Sequence, residues 1–522
     1  MRAHTVMPSG HGELVSVPPV AEWAEVARSN ARAADSWEFE VGGEPAGMLR
    51  ARAREALLRT ASEVTSRLGV DAVAPAGDPG LIIVTGHQPD LYHAGVWAKD
   101  FLMQRLVRET GGTGVDIVVD TDTFDSVGVT APCLAPGMTR CRHYLAVGGA
   151  DSCFANAPVP SAAHIEAFCE TTAATLATLP APALGRHFAI FCDALRAAVP
   201  GSGSLADLVT GARRRFEGEL TDYLELPVTA AASTRPYLRF AVDILLAARR
   251  FAGCYNSELD AYRSLNRVRS AAQPFPNLEI GPDRVEVPFW VVTPSRRLPA
   301  YIEDSDAGMR LLAGDELVLA LPREVERAID ALEASGVTLA PRAVTLTLFF
   351  RTFLADLFIH GVGGDRYDQV TEGIAARWWG IALPPHVVAS LTMYLPLGAA
   401  VVTDEEIAEL DRRLHRLAHN PDEALGEVSF DGADERDRAR ALSEEKQSLV
   451  DAISAEGADR KALGARIREV NEQMTSLVAP LVAEVQARRE RMVTQQGDSE
   501  VLTDRTYPFC LWSPAEIADK IG

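Results

Sequence analysis

Lysine is scarce in this sequence of 522 residues. Lys and Arg together number 51, but only four of them are lysine, and Lys99 is the only lysine before Lys446. Arginine therefore carries almost all of the positive charge. Lysine presents a compact, mobile charge, whereas the arginine head group is a larger planar fork. A lone lysine in such a chain is a candidate for contact with a ligand that moves, such as a phosphate.

Positive charge of either kind is in short supply. The formal net charge is −21, because 72 Asp and Glu residues outnumber the basic ones. A chain this acidic repels phosphate backbones, so we expect no nucleic-acid partner. A small anion could still bind in a local cationic pocket.

Long hydrophobic runs and paired cysteines are missing as well. No stretch reaches the unbroken apolar length of a membrane helix, and residues 1–20 have no apolar segment of signal-peptide length, so we expect no membrane partner. The seven cysteines form no C-x-x-C pair, which predicts free thiols and a cytoplasmic location.

Four potential metal ligands lie close together in the sequence: Cys133, Cys141, His143 and Cys153. Their spacing matches no common zinc motif, so we interpret them as scattered side chains. We therefore assign no metal ligand from the sequence.

The length predicts two or three folding units. Composition and pattern divide the chain into a helical segment over residues 1–75, a core over 76–402, a coiled-coil hairpin over 403–495 and a tail over 496–522 that returns to the core. Within the core, residues 161–275 are mostly helical in pattern, which predicts a helical connecting region.

A strand–helix–strand pattern opens the core. The run "LIIVT" (81–85) predicts a buried strand, the apolar spacing in 94–109 predicts a helix, and "VDIVVD" (115–120) predicts a second buried strand. Parallel pairing is expected, because two strands joined by a helix form a βαβ unit. Residues 343–372 predict a further strand-like apolar run, a Gly-Gly turn and a helix. The sequence thus predicts an α/β fold with a parallel sheet.

Heptad spacing marks the region after residue 403. Apolar residues recur three and four positions apart within 407–417 and 463–481, with charged residues between them. This pattern predicts a coiled coil or long helical hairpin. We place its tip near Gly457 and its second helix at about 459–494. An ordinary helical bundle is the alternative, and the hairpin could pair within one chain or between two chains.

The candidate site begins where the first strand ends, because ligands of parallel sheets bind beyond the carboxyl ends of the strands. The residues of interest there are Thr85, Gly86, His87, Gln88, His93, Gly95 and Lys99. Unpaired N–H groups at the helix start would bind an anion together with Lys99. His87 or His93 would act as a general acid or base. We expect Lys99→Ala to abolish turnover and to leave the fold intact.

Three later segments add candidate ligand groups, which are Asp120, Asp122 and Asp125, then Asn256 and Arg263, then His360, Gly363, Gly364, Asp365 and Tyr367. The aspartates would hold an amine or Mg²⁺, or provide a base. The Asn and Arg would bind a substrate carboxylate, and the Gly pair would allow close backbone approach. The alternatives are a surface loop, a solvated helix face and an ordinary turn.

The order of these motifs carries a resemblance. Thr85-Gly86-His87-Gln88 is followed by Gly95 and Lys99, by the acidic loop 120–127, by Gly363-Gly364 and then by the heptads. In this order they resemble the bacillithiol biosynthesis cysteine-adding enzymes. The resemblance implies a Rossmann-like core similar to nucleotidyltransferases, a helical connecting region and a C-terminal α-helical coiled coil that makes homodimers. It also implies a ligase-type reaction between the carboxyl group of cysteine and the amine of a glucosaminyl malate.

The sequence departs from that family at informative positions. His87 stands where the family has Gln, Asp122 stands where its acidic loop has His, and "HAGV" lacks the second His of the H-x-G-H signature of nucleotidyltransferases. We therefore expect a related C–N bond-forming ligase that joins a cysteine-like amino-acid carboxyl to the amine of a small acidic acceptor. The cofactor stays open, with ATP or ADP and Mg²⁺ as candidates. A nucleotide-binding scaffold that acts through its coiled coil, and a nucleotidyl or glycosyl transferase, are the competing hypotheses.

Overall fold

The computed structural model describes residues 6–72, 77–135, 137–149, 152–270, 273–305, 308–398, 402–430, 432–455 and 458–522. The chain forms two compact units. Unit 1 contains Met1–Ala131, Cys141–Tyr394 and Arg505–Gly522, and unit 2 contains Pro132–Arg140 and Leu395–Asp504.

The strands, in chain order, are β1 (Glu13–Val17), β2 (Glu40–Val41), β3 (Glu44–Pro45), β4 (Ile82–His87), β5 (Thr113–Val118), β6 (Ser126–Ala135), β7 (Gly137–Val147), β8 (Leu224–Pro227), β9 (Arg284–Val292), β10 (Arg297–Ser305), β11 (Gly308–Ala313), β12 (Glu316–Leu321), β13 (Thr338–Pro341), β14 (Leu357–His360) and β15 (Val387–Thr392).

The α-helices are α1 (Trp23–Ala34), α2 (Ala46–Arg67), α3 (Ala94–Thr110), α4 (Ala162–Leu176), α5 (Pro182–Ala198), α6 (Leu205–Glu217), α7 (Val228–Ala232), α8 (Arg235–Leu246), α9 (Ala248–Asn266), α10 (Val325–Ser335), α11 (Ala343–Phe353), α12 (Val362–Trp379), α13 (Asp404–His419), α14 (Ala433–Ile453), α15 (Arg460–Leu477), α16 (Ala479–Leu502) and α17 (Pro514–Ile521). None of the helices in the described ranges is long and apolar enough to cross a membrane.

A six-stranded sheet organises unit 1, with the order β1–β15–β14–β4–β5–β8. The strands from β15 to β8 run parallel, and β1 pairs antiparallel with β15 at one edge. When the parallel strands are numbered along the chain, their spatial order is 3-2-1-4-5. The first parallel strand, β4, therefore lies in the middle of the sheet. β5 and β8 extend the sheet on one side, and β14 and β15 then extend it on the other. The expected α/β chain with a parallel sheet is confirmed.

The register brings the carboxyl ends of neighbouring strands together. His87, the last residue of β4, pairs with Val118, the last residue of β5. On the other side, Phe358 of β14 pairs with Val84. His360, which ends β14, therefore lies near the end of β4, at the same edge of the sheet.

The first strand–helix–strand unit forms as the sequence predicts. β4 is apolar and buried from Ile82 to Val84, as a central parallel strand requires. α3 begins after His93 and ends at Gly111, which adopts the left-handed conformation with φ of 66°. Glycine reaches that conformation without a steric penalty, so the helix ends there.

The apolar run at 343–372 differs from the prediction in its first part. Residues Ala343–Phe353 form α11, and only Leu357–His360 form a strand. Helix α12 then begins after Gly361, as the Gly-rich turn predicts. The strand-like interpretation of the whole run was wrong because most of α11 is buried and apolar, and periodicity then separates helix from strand poorly.

The other parts of unit 1 surround this sheet. Residues 161–275 are largely helical, as expected, but they also contribute β8 to the parallel sheet. β9 to β13 form a separate antiparallel sheet of five strands. A continuous apolar core includes residues of both sheets, such as Ile117, Leu226 and Val287.

Helices α13 to α16 make up most of unit 2. α13 packs on α16 and α14 packs on α15. The buried apolar residues of these two contacts are Leu410, Leu417, Val478 and Val485 in the first, and Leu442, Val470 and Met474 in the second. These side chains include residues of the predicted heptads, and all of these contacts lie within one chain.

The second predicted long helix is interrupted. α15 ends at Leu477 and α16 starts at Ala479, so the span predicted as the second arm, about 459–494, consists of two helices. Pro480 lies at the start of α16, where its missing N–H is tolerated, whereas in a helix interior it would break the hydrogen-bond ladder. The predicted hairpin tip at Gly457 lies outside the described residues.

Two of the seven cysteines are not free thiols. Cys133 and Cys141 are disulfide-bonded, and the other five are free and buried. The prediction of free thiols is therefore wrong for this pair, because a hairpin brings together residues that no C-x-x-C spacing marks. The prediction of a cytoplasmic location rested partly on free thiols, and the disulfide removes that support.

Candidate functional site

A cleft of about 330 Å³ opens at the carboxyl ends of β4, β5 and β14 in unit 1. Its polar lining consists of His87, Gln88, Thr121, Asp122, Thr347, His360, Tyr367, Asp368 and Thr371. Apolar side chains complete its walls, among them Val119, Phe275, Val344 and Phe358. The cleft therefore lies where the sheet topology places a ligand, with a few polar groups on an apolar surface.

Gly86 allows β4 and β5 to approach each other beside the cleft. A Cβ atom on Gly86 would lie 2.8 Å from the carbonyl oxygen of Ile117 and 2.9 Å from its Cβ. Any larger residue would push the two strands apart. The predicted need for glycine at this turn thus has a steric cause in the sheet itself.

Lys99 lies behind the strand end, and it is not among the residues that line the cleft. Its side chain is buried, and its Nζ donates to the hydroxyl of Thr85 at 3.1 Å and to the carbonyl oxygen of Gly86 at 2.9 Å. Burial lowers the pKa of Lys99, and Asp100 and Asp116 oppose that effect. In this position the lysine holds the end of β4 in place.

His87 and Gln88 are the polar residues that β4 delivers to the cleft. Burial and, to a smaller extent, the charge of Lys99 lower the pKa of His87 to about 3, so the imidazole is neutral. Its Nδ1 lies 3.3 Å from the carbonyl oxygen of Gln88, which favours a proton on Nδ1 and a lone pair on Nε2. The Gln88 amide donates to Asp122 at 2.8 Å.

Asp122 is the aspartate of the acidic loop that faces the cleft. Oδ2 accepts from Gln88, and Oδ1 accepts from Arg297 at 3.2 Å. The guanidinium of Arg297 stacks on Trp290 with its carbon 4.1 Å from the ring centre. The hydrogen bonds from Gln88 and Arg297 orient the Asp122 carboxylate toward the cleft, and the carboxylate stays partly exposed.

The other two aspartates of the loop do not line the cleft. Asp120 is buried and accepts from the backbone N–H of Thr229 at 3.0 Å and from its hydroxyl. Burial raises the pKa of Asp120 to about 7, although both hydrogen bonds oppose the shift. Asp125 is exposed, and its backbone carbonyl accepts from Gly148.

The start of α3 is already occupied by groups of the protein. His93 caps the helix, because its Nδ1 accepts from the N–H of Gly95 at 3.0 Å. Arg505 and the carbonyl oxygen of Leu391 lie so close to Gly95 that a Cβ there would approach each to 2.5 Å. The predicted anion site at this helix start thus lies away from the cleft and is filled by protein atoms.

Asn256 and Arg263 serve the cleft indirectly. The Asn256 amide exchanges two hydrogen bonds with the backbone of Leu278. Arg263 donates to the carbonyl oxygens of Gln273 and Phe275. These contacts hold the loop that places Phe275 in the cleft wall.

The Gly-Gly segment brings a polar cluster to the opposite side of the cleft. A Cβ on Gly364 would lie 2.8 Å from Nδ1 of His360, whereas one on Gly363 would meet nothing within 4 Å. Burial lowers the pKa of His360 to about 4. Tyr367 is 39% exposed, and its ring lies at the cleft surface.

Sequence reasoning missed three residues of this cluster, which are Arg351, Asp368 and His386. Asp368, on α12, accepts from His360 at 3.2 Å and from Arg351. His386 precedes β15, and its Nε2 donates to Asp365 at 2.9 Å. Asp368 could have been suspected from its place two helical turns after the Gly turn. His386 carries no signal beyond being a histidine before an apolar strand.

A second buried network, also missed, lies below His87. Arg213 donates to Asp100 at 2.7 Å, to Asp116 at 2.8 Å, to Glu225 at 2.7 Å and to Tyr92 at 2.8 Å. Burial raises the pKa of Asp100 to about 7, although Arg213 opposes the shift. This network lies beneath His87 and Gln88 and connects α3, β5, α6 and β8.

The lining of the cleft suits a small molecule that carries an amine and further hydrogen-bonding groups. Asp122 provides a negative charge on one side, and neutral His87 and His360 provide hydrogen-bonding nitrogen atoms. The fold and the cleft together define an α/β protein with a ligand-sized site at the carboxyl edge of a parallel sheet. Comparison with profiles of known protein families and with curated proteins gives no match for this chain. The resemblance to the cysteine-adding enzymes therefore stays a prediction.

Proposed function

We propose that this protein is a C–N bond-forming enzyme of the ligase type, which joins a cysteine-like amino-acid carboxyl to the amine of a small acidic acceptor in the cleft. The observation that carries this proposal is the convergence of His87, Gln88, Asp122 and His360 on one cleft. These residues come from three distant segments that the sequence pattern marks as candidate sites. Such convergence is expected when separate parts of a chain form one binding site.

The proposal includes a Rossmann-like core. The spatial order 3-2-1-4-5 of the parallel strands is the order of the Rossmann fold up to its fifth strand. In that arrangement ligands bind at the topological switch point, between the two strands from which the sheet extends in opposite directions. Here these strands are β4 and β14. His87 and His360 flank this point, which supports a ligand role for the cleft.

Each polar residue receives a role in this proposal. Asp122 holds the incoming ammonium group of the acceptor, because its carboxylate is oriented by Gln88 and Arg297. The Nε2 of His87 accepts a hydrogen bond from the amine. The ammonium group first loses one proton to water, because only the neutral amine has a lone pair. When the amine nitrogen attacks the activated carboxyl carbon, its second proton passes to the activating group, which leaves with the electrons of its bond to carbon. A nucleoside triphosphate or a preformed acyl donor supplies the activation.

The test is a matched pair of aspartate variants in the same loop. Purified protein is incubated with cysteine and other amino acids, with small amines that carry a carboxylate or phosphate, and with or without ATP and Mg²⁺. Products are detected by mass spectrometry. We expect Asp122→Asn to lower turnover by at least about 100-fold, because the acceptor amine is no longer held in position. Asp125→Asn should behave like the wild type, because Asp125 is exposed and does not line the cleft.

Three results would reject the ligase proposal. A nucleotide that stabilises the protein in a thermal-shift assay, with no product from any donor and acceptor, would favour a nucleotide-binding scaffold. Release of pyrophosphate with formation of a nucleotidyl or glycosyl product would favour a transferase. Equal turnover of Asp122→Asn and Asp125→Asn would show that the cleft is not the site of the reaction.

The proposal also extends to assembly and location. We propose that α13 to α16 act as a coiled coil that joins two copies of the chain, and that the protein works in the cytoplasm. The apolar heptad residues and the charged outer faces of these helices support a coiled coil. Measuring whether Cys133 and Cys141 are oxidised in cells would test the location, since a persistent disulfide is rare in a reducing cytoplasm.

A further inference from the structure

The cluster formed by His360, Asp368 and His386 holds three side chains that commonly bind metal ions. One potential ligand atom from each residue lies within 4.8 Å of those from the other two. Three different elements supply them, since His360 ends β14, Asp368 lies on α12 and His386 precedes β15. The cluster is thus assembled by the tertiary fold rather than by a local sequence motif.

The distances within the cluster suit ligands of one ion. The Oδ2 atom of Asp368 lies 3.2 Å from Nε2 of His360 and 3.3 Å from Nδ1 of His386. In a tetrahedral zinc site with bonds of about 2.0–2.1 Å, neighbouring ligand atoms lie roughly 3.3 Å apart. The side chains therefore need little movement to surround an ion.

Two atoms of the cluster have no hydrogen-bond partner among the described residues. They are Oδ1 of Asp368 and Nδ1 of His386, and both are buried. Nε2 of His386 donates to Asp365, so in the tautomer with a single ring proton the lone pair is on Nδ1. That lone pair faces the carboxylate of Asp368. A cation bound by both side chains would satisfy the unpartnered imidazole nitrogen and the unpartnered carboxylate oxygen.

The charge around the cluster also favours a divalent cation. The carboxylates of Asp365, Asp368 and Glu372 lie within 3.7 Å of His386, and the guanidinium of Arg351 contacts Asp368 and Glu372. Arg351 and His360 both contact Oδ2 of Asp368, whereas Oδ1 has no hydrogen-bond partner among the described residues, so a small rotation of the carboxylate would offer one oxygen to the ion and the other to Arg351. Asp365 would then orient the ligating His386 through its other ring nitrogen, an arrangement common in zinc sites.

We propose that His360, Asp368 and His386 bind one divalent transition-metal ion in the wall of the cleft, and that Zn²⁺ is the ion that fits best. Two imidazoles and one carboxylate are typical of zinc and related ions, whereas Mg²⁺ prefers oxygen ligands alone. His360 and Asp368 both line the cleft. A fourth coordination position would therefore be open to water or to a substrate carbonyl group, as in catalytic zinc sites. This site does not depend on the proposed ligase reaction.

Metal titration of the full-length protein tests the proposal. The protein is stripped with a chelator, and Zn²⁺ is added under calorimetric observation. Co²⁺ replaces Zn²⁺ in a parallel experiment that records the visible absorption spectrum. We expect one Zn²⁺ per chain and the intense Co²⁺ absorption of a four- or five-coordinate site.

Histidine variants show whether the cluster holds the metal. We expect His360→Gln and His386→Gln to weaken Zn²⁺ binding by more than about 100-fold, and Asp365→Asn by about 10- to 100-fold. His164→Gln is the matched control, because His164 is an exposed histidine outside the cluster, and it should bind Zn²⁺ like the wild type. Melting curves of the stripped variants show whether each is folded.

The proposal fails if His360→Gln and His386→Gln bind Zn²⁺ as tightly as the wild type. It also fails if the wild type gives only the weak Co²⁺ spectrum of a six-coordinate, surface-bound ion, a result that needs no variant to fold. Because binding is measured without turnover, loss of the ligase proposal would leave this result unaffected. Conversely, turnover by a protein that binds no metal would support the ligase proposal and reject the metal site.

Discussion

Lys99 illustrates how a single residue can be unusual in sequence for a structural reason. Its rarity in an arginine-rich chain predicts contact with a ligand, yet its ammonium group is buried against Thr85 and Gly86. A planar guanidinium needs more room and more acceptors than this narrow space behind β4 offers. The same property that suits lysine to a moving phosphate, its compact charge, suits it to this tight position.

Lys99→Ala should destabilise the fold, in contrast to the expectation from sequence. Removing the ammonium group leaves the oxygen atoms of Thr85 and Gly86 without their donor and removes a positive charge near Asp100 and Asp116. We expect a loss of about 2–4 kcal/mol in the free energy of unfolding, measured by urea denaturation. Lys520→Ala, which removes an exposed lysine of unit 1, is the control and should change stability by less than about 0.5 kcal/mol. Equal stability of the two variants would contradict the structural role.

Asp120 should make stability depend on pH. Its pKa is raised from 3.8 to about 7 in the folded protein, so between these values the folded state holds a proton that the unfolded chain has lost. Stability from this residue is therefore full below about pH 4 and is lost as the pH rises toward 7. Between pH 5 and pH 8 the wild type should lose about 3 kcal/mol relative to Asp120→Asn, which has no such proton. Urea denaturation at both pH values measures the difference. A constant difference between the two proteins would show that Asp120 ionises normally.

At the scale of elements, the amphipathic and capped segments were predictable, and the fully buried ones were not. The unit β4–α3–β5 follows from its apolar strand, its helical spacing and Gly111. The run that forms α11 is largely apolar and mostly buried, with only a narrow polar face at Thr347 and Arg351, so its periodicity is a weak signal of helix. The residues of the candidate site likewise divide into those that the sequence predicts and those that it does not. His87, Asp122 and His360 could be found because they follow predicted strands or lie in marked loops. His386 could not, because its importance arises only when β15 lies beside β14.

The two site glycines should respond in opposite ways to substitution by alanine. Gly86→Ala places a Cβ against Ile117 and should separate β4 from β5, with an expected loss of about 1–3 kcal/mol in unfolding free energy. Gly363→Ala meets no atom within 4 Å and lies inside helix α12, so it should stabilise the protein by up to about 1 kcal/mol. Thermal and urea unfolding of the pair provide the comparison. A destabilising Gly363→Ala would mean that this position needs glycine for a ligand or a motion rather than for space.

For the molecule as a whole, the open question from sequence is whether the heptads pair within one chain or between two. Met474 and Val470 are buried between α14 and α15 of the same chain, so that part of the pattern is satisfied without a partner. On the helices of unit 2, Val450 and Val493 are large apolar side chains that stay exposed, at 39% and 43%, and Leu134 of β6 is exposed as well. A contact between two copies through the coiled coil would have to use such outward-facing positions.

The variant Val450→Glu/Val493→Glu should therefore separate the proposed dimer without unfolding unit 2. We expect the wild type to show twice the chain mass of 56.3 kDa by light scattering after size-exclusion chromatography, and the double variant to show the mass of one chain. Its circular dichroism and melting temperature should stay close to those of the wild type, because exposed substitutions change stability little. Met474→Glu provides the contrast, since a charge buried between α14 and α15 should melt these helices at a cost of several kcal/mol. A wild type that has the mass of a single chain over a wide concentration range would show that the heptads serve an intramolecular bundle alone.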